Sequence, residues 1–302
     1  MKEKIQGSAY LLLGTVIWGF AFIAQSVGMD RLGPFTFQAV RCFLAVLFLF
    51  PCAFLLEIGK CSPGDSLKKW SDRKLWKTGF LCGCALFVAA SLQQVGLLYT
   101  DAGKGGFITA MYIVLVPVLG AVLGQKIPQT TVYGVILAVA GLFLLSCVGV
   151  STVNKGDLLM MCCALAFAVQ ITCIDRLAVG LDCIRLNCVQ ALTVAVLSLP
   201  FMALTETVVL SDILACWGPL LFAGVLSMGV AYSLQILGQG HLEPTTASLI
   251  MSLESVFAAL GGWWLLGERM KSYELMGCAL VFSAVILSQL PVRDRRVEAA
   301  EG

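Results

Sequence analysis

Residues 8–27 read SAYLLLGTVIWGFAFIAQSV, twenty consecutive positions without a charged side chain. At about 1.5 Å per helical residue, such a stretch matches the roughly 30 Å hydrocarbon core of a bilayer. It must be helical there, because lipid offers no partner to backbone N–H and C=O groups. Nine stretches of similar character follow: Phe35–Leu56, Gly79–Tyr99, Gly106–Leu123, Val132–Val150, Asp157–Ile174, Arg185–Leu204, Leu214–Leu237, Ala247–Leu266 and Tyr273–Leu290. The polar–apolar alternation that a membrane barrel needs is absent. The expectation is an all-α integral membrane protein with ten transmembrane helices. Lys2 and Lys4 precede the first span as in a signal peptide, but its length and the nine spans behind it argue that it is retained.

Composition agrees. The chain is 59% hydrophobic and 13% charged, with a mean hydropathy of +0.91. A soluble domain of 302 residues has no interior large enough for that much apolar surface. The net charge is +2 and the basic residues are dispersed, which argues against nucleic-acid binding. Of thirteen cysteines, Cys82, Cys84, Cys147, Cys162, Cys163 and Cys278 lie inside spans, where Cys behaves as a small hydrophobe. No Cys/His spacing fits a zinc or haem pattern, and the single histidine, His241, falls in a loop. Gly103-Lys104-Gly105 lacks the P-loop pattern. No metal, cofactor, catalytic residue or enzymatic activity is expected.

Orientation is read from Lys and Arg. With a cytoplasmic N-terminus, the cytoplasmic segments hold fourteen: Lys2, Lys4, Lys60, Lys68, Lys69, Arg73, Lys74, Lys77, Lys126, Arg176, Arg185, Arg293, Arg295 and Arg296. The opposite side holds five: Arg31, Lys104, Lys155, Arg269 and Lys271. That bias places both termini in the cytoplasm, in a multi-pass protein of the plasma (inner) membrane. Trp70 and Trp76 lie among the lysines of the loop Glu57–Lys77, whose apolar face is short for an interfacial helix. The loop reads as a basic topology determinant.

The chain also matches itself. At an offset of 149, Gly7 meets Gly156, Pro51 meets Pro200, and Gln38 and Arg41 meet Asn187 and Gln190. At an offset of 142, Ser91-Leu92-Gln93 meets Ser233-Leu234-Gln235, Gly96 meets Gly238, and Tyr112 meets Glu254. This divides the chain into five-helix repeats over residues 1–150 and 151–292, followed by a cytoplasmic tail, 293–302. Five is odd, so the second repeat enters the membrane inverted relative to the first. Inverted repeats hold substrate near the midplane, where the halves meet. Pro117, inside span four, and Gly261-Gly262, inside span nine, are candidate interruptions, and packing or a kink is the simpler reading of each.

Away from span edges only Arg41 and Glu254 carry charge. Each costs at least ~2.5–3.5 kcal/mol at mid-depth unless it is paired or faces water. Arg41 lies ~9 Å below the outer end of its span and Glu254 ~10 Å from the inner end of its own. A direct ion pair would need both side chains stretched, so a substrate or water between them competes with separate structural partners. Arg41 is the candidate for an anionic group, and Glu254 for a proton or a cation. Trp18, Gln38, Gln94, Tyr112, Gln170, Asn187, Gln190 and Tyr232 complete the candidate site, and Gln25, Gln93 and Gln235 belong to the same polar set.

Trp18-Gly19, Arg41, Val116-Pro117, Leu253-Glu254, Gly267-Glu268-Arg269 and Gly277 occur in an order and spacing that resembles the EamA family of the drug/metabolite transporter superfamily, in its ten-helix branch. Two positions depart from the family pattern. Ser255 follows Glu254 where Pro is common, and Gln125-Lys126 follows Gly124 where Gly-Glu is common. The resemblance implies alternating-access movement of small metabolites, often amino acids or related compounds, without ATP hydrolysis. The expected protein is a monomeric secondary transporter, an exporter, whose partners are the lipid bilayer, a small-molecule substrate and protons. Its rivals are a membrane-embedded enzyme and a non-transporting receptor or assembly protein.

Overall fold

Helix starts follow local chemistry. Pro34 and Pro244 stand in the first turns of α2 (Pro34–Leu55) and α13 (Pro244–Met251), where a missing N–H costs nothing. Asp72 accepts from the Lys74 N–H ahead of α4 (Arg73–Gly96), and Asp182 from the Arg185 N–H ahead of α9 (Cys183–Thr205). Asn154 and Asp157 form a reciprocal capping box at α8 (Lys155–Leu177). The computed structural model describes residues 2–59, 62–100, 102–125, 127–146, 154–265 and 270–289. The other helices are α1 (Lys2–Met29), α3 (Pro63–Lys68), α5 (Ala102–Ala110), α6 (Tyr112–Val122), α7 (Gln129–Ser146), α10 (Leu210–Ala215), α11 (Trp217–Leu221), α12 (Tyr232–Gln239), α14 (Leu253–Leu265) and α15 (Ser272–Gln289). There is no strand among the described residues.

Among the described residues, eight helical stretches are long and apolar enough to cross a membrane: Lys2–Met29, Pro34–Leu55, Arg73–Gly96, Lys104–Val122, Lys155–Leu177, Cys183–Thr205, Trp217–Gln239 and Pro244–Trp264. Two shorter apolar helices, α7 and α15, stand where the fifth and tenth spans are expected. The ends expected for those spans, Val150 and Leu290, lie outside the described residues. So do Lys60, Lys126, Cys147, the loop 151–153, Leu266, Gly267-Glu268-Arg269 and the tail 293–302. Large apolar side chains such as Leu47, Ile136, Leu158, Leu204 and Trp264 point outward. A surface this apolar calls for lipid.

α2 lies against α9, and α4 against α8 and α9. α1 packs on α12 and α14, and α7 on α15. The last pair meets at Gly141 and Gly277, where a Cβ on Gly277 would fall 2.5 Å from the Gly141 carbonyl oxygen. Only glycine permits that approach.

Three spans are not plain α-helices. The chain turns at Met111 between α5 and α6, and at Ser252 between α13 and α14. These breaks come one residue before Tyr112 and two before Glu254. The interruptions suggested by Pro117 and Gly261-Gly262 do not occur, because both lie within continuous helix. A proline frees a single carbonyl without ending the helix, and Gly261 makes room for Phe20 of α1. Between α11 and α12, Phe222–Ala231 is a π-helical segment, closed by the Tyr232 N–H donating five residues back to the Ser227 carbonyl.

Candidate functional site

The breaks and the π-helical segment border a partly open cavity of about 50 Å³. Its lining comes from α1, α2, α4, α6, α8, the π segment and α12, α13 and α14. Phe22, Phe167, Ile171, Met228 and Met251 form apolar walls, and the rest of the lining carries polar groups.

Arg41 and Glu254 both face this cavity, 7% and 8% exposed. Arg41 Nη1 donates to Gln25 Oε1 at 2.9 Å, and its Nε has no hydrogen-bond partner in the protein. Glu254 stands in the first turn of α14, where the positive end of the helix dipole favours a carboxylate. Its Oε1 accepts from the Tyr112 hydroxyl at 3.1 Å. The ion pairs among the described residues include neither Arg41 nor Glu254. One wall therefore presents a guanidinium and another a carboxylate, and neither neutralises the other.

Trp18 and Tyr232 meet edge to face, with ring centroids 5.0 Å apart, and both line the cavity. Trp18 Nε1 is buried without a partner, as is Gln235 Oε1. Buried polar atoms are usually satisfied, so these two donors and one acceptor, from α1, α2 and α12, are exceptions among the residues lining the cavity. Gln93, Gln170 and Gln235 line it as well.

The remaining candidates stand behind this surface. Gln235 Nε2 donates to Gln170 Oε1 at 3.2 Å, and Gln170 Nε2 to Gln190 Oε1 at 3.4 Å. Gln190 continues the chain to Asn187 Oδ1 at 3.4 Å. Asn187 Nδ2 reaches the carbonyls of Met228 and Gly229 at 2.8 and 3.0 Å and the Ser233 hydroxyl at 3.0 Å. A π turn leaves such carbonyls without ordinary helical partners, and Asn187 supplies one. Gln38 bonds Ser91 and Ser198, each at 3.1 Å, and Gln94 donates to Met29 Sδ at 3.3 Å. Of the ten candidates, the structure thus brings Arg41, Glu254, Trp18, Tyr112, Gln170 and Tyr232 to the cavity. It sets Gln38, Gln94, Asn187 and Gln190 in the surrounding hydrogen-bond network. Phe22, Phe167, Ile171, Met228 and Met251 escape sequence reasoning because apolar residues in a membrane span carry no mark separating cavity from core.

Asn187→Ala is expected to destabilise the protein by about 1–3 kcal/mol, the cost of stranding buried acceptors. A melting curve of the purified protein measures this. An unchanged midpoint would mean that the π segment does not depend on Asn187.

A bundle of apolar helices around a buried polar cavity is the build of a multi-pass membrane protein that handles a small molecule. Comparison narrows the class. The model of the EamA-like transporter family matches residues 5–147 and 154–290, and the chain belongs to that family. It is 34% identical to an uncharacterized transporter of Archaeoglobus fulgidus over 96% of this chain and 88% of that one. An uncharacterized transporter of Bacillus subtilis, YoaV, is 24% identical over 94% and 96% of the two chains. A chloroplastic WAT1-related protein of Arabidopsis thaliana is 25% identical over 91% of this chain and 67% of its own. One crystal structure, 16% identical, shares the fold with a TM-score of 0.77 over 97% of this chain and 98% of its own. The protein is a membrane transporter, and its family and relatives point away from an enzyme.

Proposed function

We propose that this transporter exports small polar metabolites, such as amino acids or related compounds, by alternating access, and that protons drive it. The observation that carries the reading is the cavity in which Arg41 and Glu254 face a common space without pairing. A ligand with an anionic and a cationic or donor group satisfies both. In this reading ten helices cross the plasma membrane, both termini are cytoplasmic, and the monomer consists of inverted repeats 1–150 and 151–292 with a tail 293–302. Candidates behind the cavity wall, Gln38, Gln94, Asn187 and Gln190, support its shape.

The repeat is supported by contacts that exchange partners. A Cβ on Gly7 of α1 would lie 3.0 Å from the Gly238 carbonyl oxygen of α12, and one on Gly156 of α8 would lie 2.8 Å from that of Gly96 in α4. The self-matching offsets pair Gly7 with Gly156 and Gly96 with Gly238. Gln38 with Ser91 and Asn187 with Ser233 are related in the same way. Tyr112 and Glu254, matched at the 142 offset, bond each other across the cavity. The orientation is supported by the fourteen-to-five distribution of basic residues.

The test is a comparison of extracellular metabolites from cells that over-express the protein and cells that lack it, followed by flux of the responding compound in proteoliposomes. A compound that accumulates outside over-expressing cells and crosses the vesicle membrane saturably is the expected result. Identical metabolite profiles and no saturable flux would remove both the export direction and the metabolite class.

A further inference from the structure

α2 and α9 run antiparallel, and each ends in a glutamate that reaches the start of the other. Glu206, just past α9, accepts the Phe35 N–H at 2.8 Å, the Thr36 N–H at 2.7 Å and the Thr36 hydroxyl at 2.6 Å. α2 has no side-chain cap of its own, so its unsatisfied amides and positive dipole end depend on this carboxylate. The fit requires Gly33, since a Cβ there would lie 2.2 Å from the carboxyl carbon of Glu206. At the opposite end Glu57, just past α2, takes both terminal nitrogens of Arg185 in the first turn of α9, at 3.0 and 2.9 Å. Arg185 is 1% exposed and also donates to the Ser66 hydroxyl at 2.7 Å. Lys69 shares the Glu57 carboxylate.

The two arrangements correspond in sequence. The 149-residue offset places Glu57 on Glu206 and Thr36 on Arg185. The acceptor is the same at both ends. The donors are two backbone amides and the Thr36 hydroxyl at one and a guanidinium at the other. Midway along both helices, Cys42 and Ala45 of α2 share a buried cluster with Ala191, Val194 and Ala195 of α9, with Leu86 and Met228 beside them. Small residues let the two backbones approach closely at this crossing.

We propose that Glu206 and Glu57 are paired latches at the two ends of a pivoting α2–α9 pair, and that release of one tightens the other. The proposal rests on the transport reading, in which the ends of this pair face opposite sides of the membrane. Both latches are closed in this structure. Opening one end swings the antiparallel partner about the small-residue crossing and compresses the far end. The Glu57 latch pairs charge with charge in bidentate geometry, and the Glu206 latch is a charge-assisted cap on two backbone amides and a hydroxyl.

Amide hydrogen exchange of the full-length protein in lipid nanodiscs tests this at residues 33–40 and 182–190. Loss of a hydrogen bond to a charged group is expected to speed local exchange by about tenfold or more. E206Q should speed exchange at 33–40 and slow it at 182–190, and E57Q should do the opposite. T36V and R185K weaken the same contacts more gently and should show the same reciprocal pattern should either glutamine variant fail to fold. Acceleration confined to the mutated end would reduce each glutamate to a local cap and overturn the proposal, as would acceleration at both ends. Substrate flux is measured separately on the wild type. Reciprocal exchange without flux would sink the transport reading and leave the coupling standing, while flux without reciprocity would sink the latches alone.

Discussion

Glu254→Gln is expected to abolish accumulation driven by a pH gradient while leaving exchange of labelled for unlabelled substrate intact. The side chain stands in the first turn of α14, directly after the break at Ser252, and it is buried. Its one recorded hydrogen bond is from a neutral phenol, Tyr112, and it belongs to no ion pair among the described residues. A carboxyl group so placed can take up a proton on one side of the membrane and release it on the other, because no fixed cation holds it ionised. Gln keeps the oxygen that Tyr112 needs and cannot titrate. One pH unit is worth about 1.4 kcal/mol per coupled proton, or about tenfold accumulation, and the variant should lose all of it. Exchange needs only binding and the conformational switch, so it survives. If Glu254 instead binds a substrate ammonium, both activities fall together. Gradient-driven flux that persists in the variant would mean the proton enters elsewhere or not at all.

What the sequence made legible was the part written in polarity. The spans were readable because lipid forces long apolar runs, and eight helices meet the length and composition of a crossing. Arg41 and Glu254 stood out because charge at depth is costly, and both face the cavity. Trp18, Tyr112, Gln170 and Tyr232 carry the same mark of polarity at depth and line the same cavity, but the rule works less well for amides. Gln38 and Asn187 are just as buried and just as polar, yet they bond serines and helix carbonyls behind the wall. Sequence cannot rank an amide that lines a cavity against one that joins two helices, since each satisfies the same need. The helix breaks were misplaced for a related reason. Proline and glycine mark positions where a helix is able to yield, whereas the turns at Met111 and Ser252 follow from how α5, α6, α13 and α14 pack. The π segment left no sequence mark at all. Its carbonyls find Asn187 only across the interface with α9.

Arg41→Gln is expected to raise the substrate concentration for half-maximal flux by about 10–100-fold, the equivalent of a charged hydrogen bond worth about 1.5–3 kcal/mol. Arg41 bonds Gln25 through Nη1 and lies over the Phe37 ring, while its Nε remains without a protein partner. A guanidinium held by a neutral amide keeps its full charge for a ligand, and a carboxylate is the group its planar fork fits best. Buried arginines that serve only as glue usually complete their bonds with carbonyls or acids. Folding should survive the change, because the 149-residue offset places Gln190 at the matching position, and that amide is fully buried and bonded to Gln170 and Asn187. Arg41→Lys separates charge from shape. It keeps the cation and loses the bidentate geometry, so it should fall between the wild type and the glutamine variant. Esterifying or removing a substrate's anionic group should erase the difference among the three proteins, since the interaction at issue is then absent from all of them. Equal half-saturation for the wild type and Arg41→Gln, in folded protein, would return Arg41 to the role of a helix–helix contact and leave the anionic end of the substrate to Trp18.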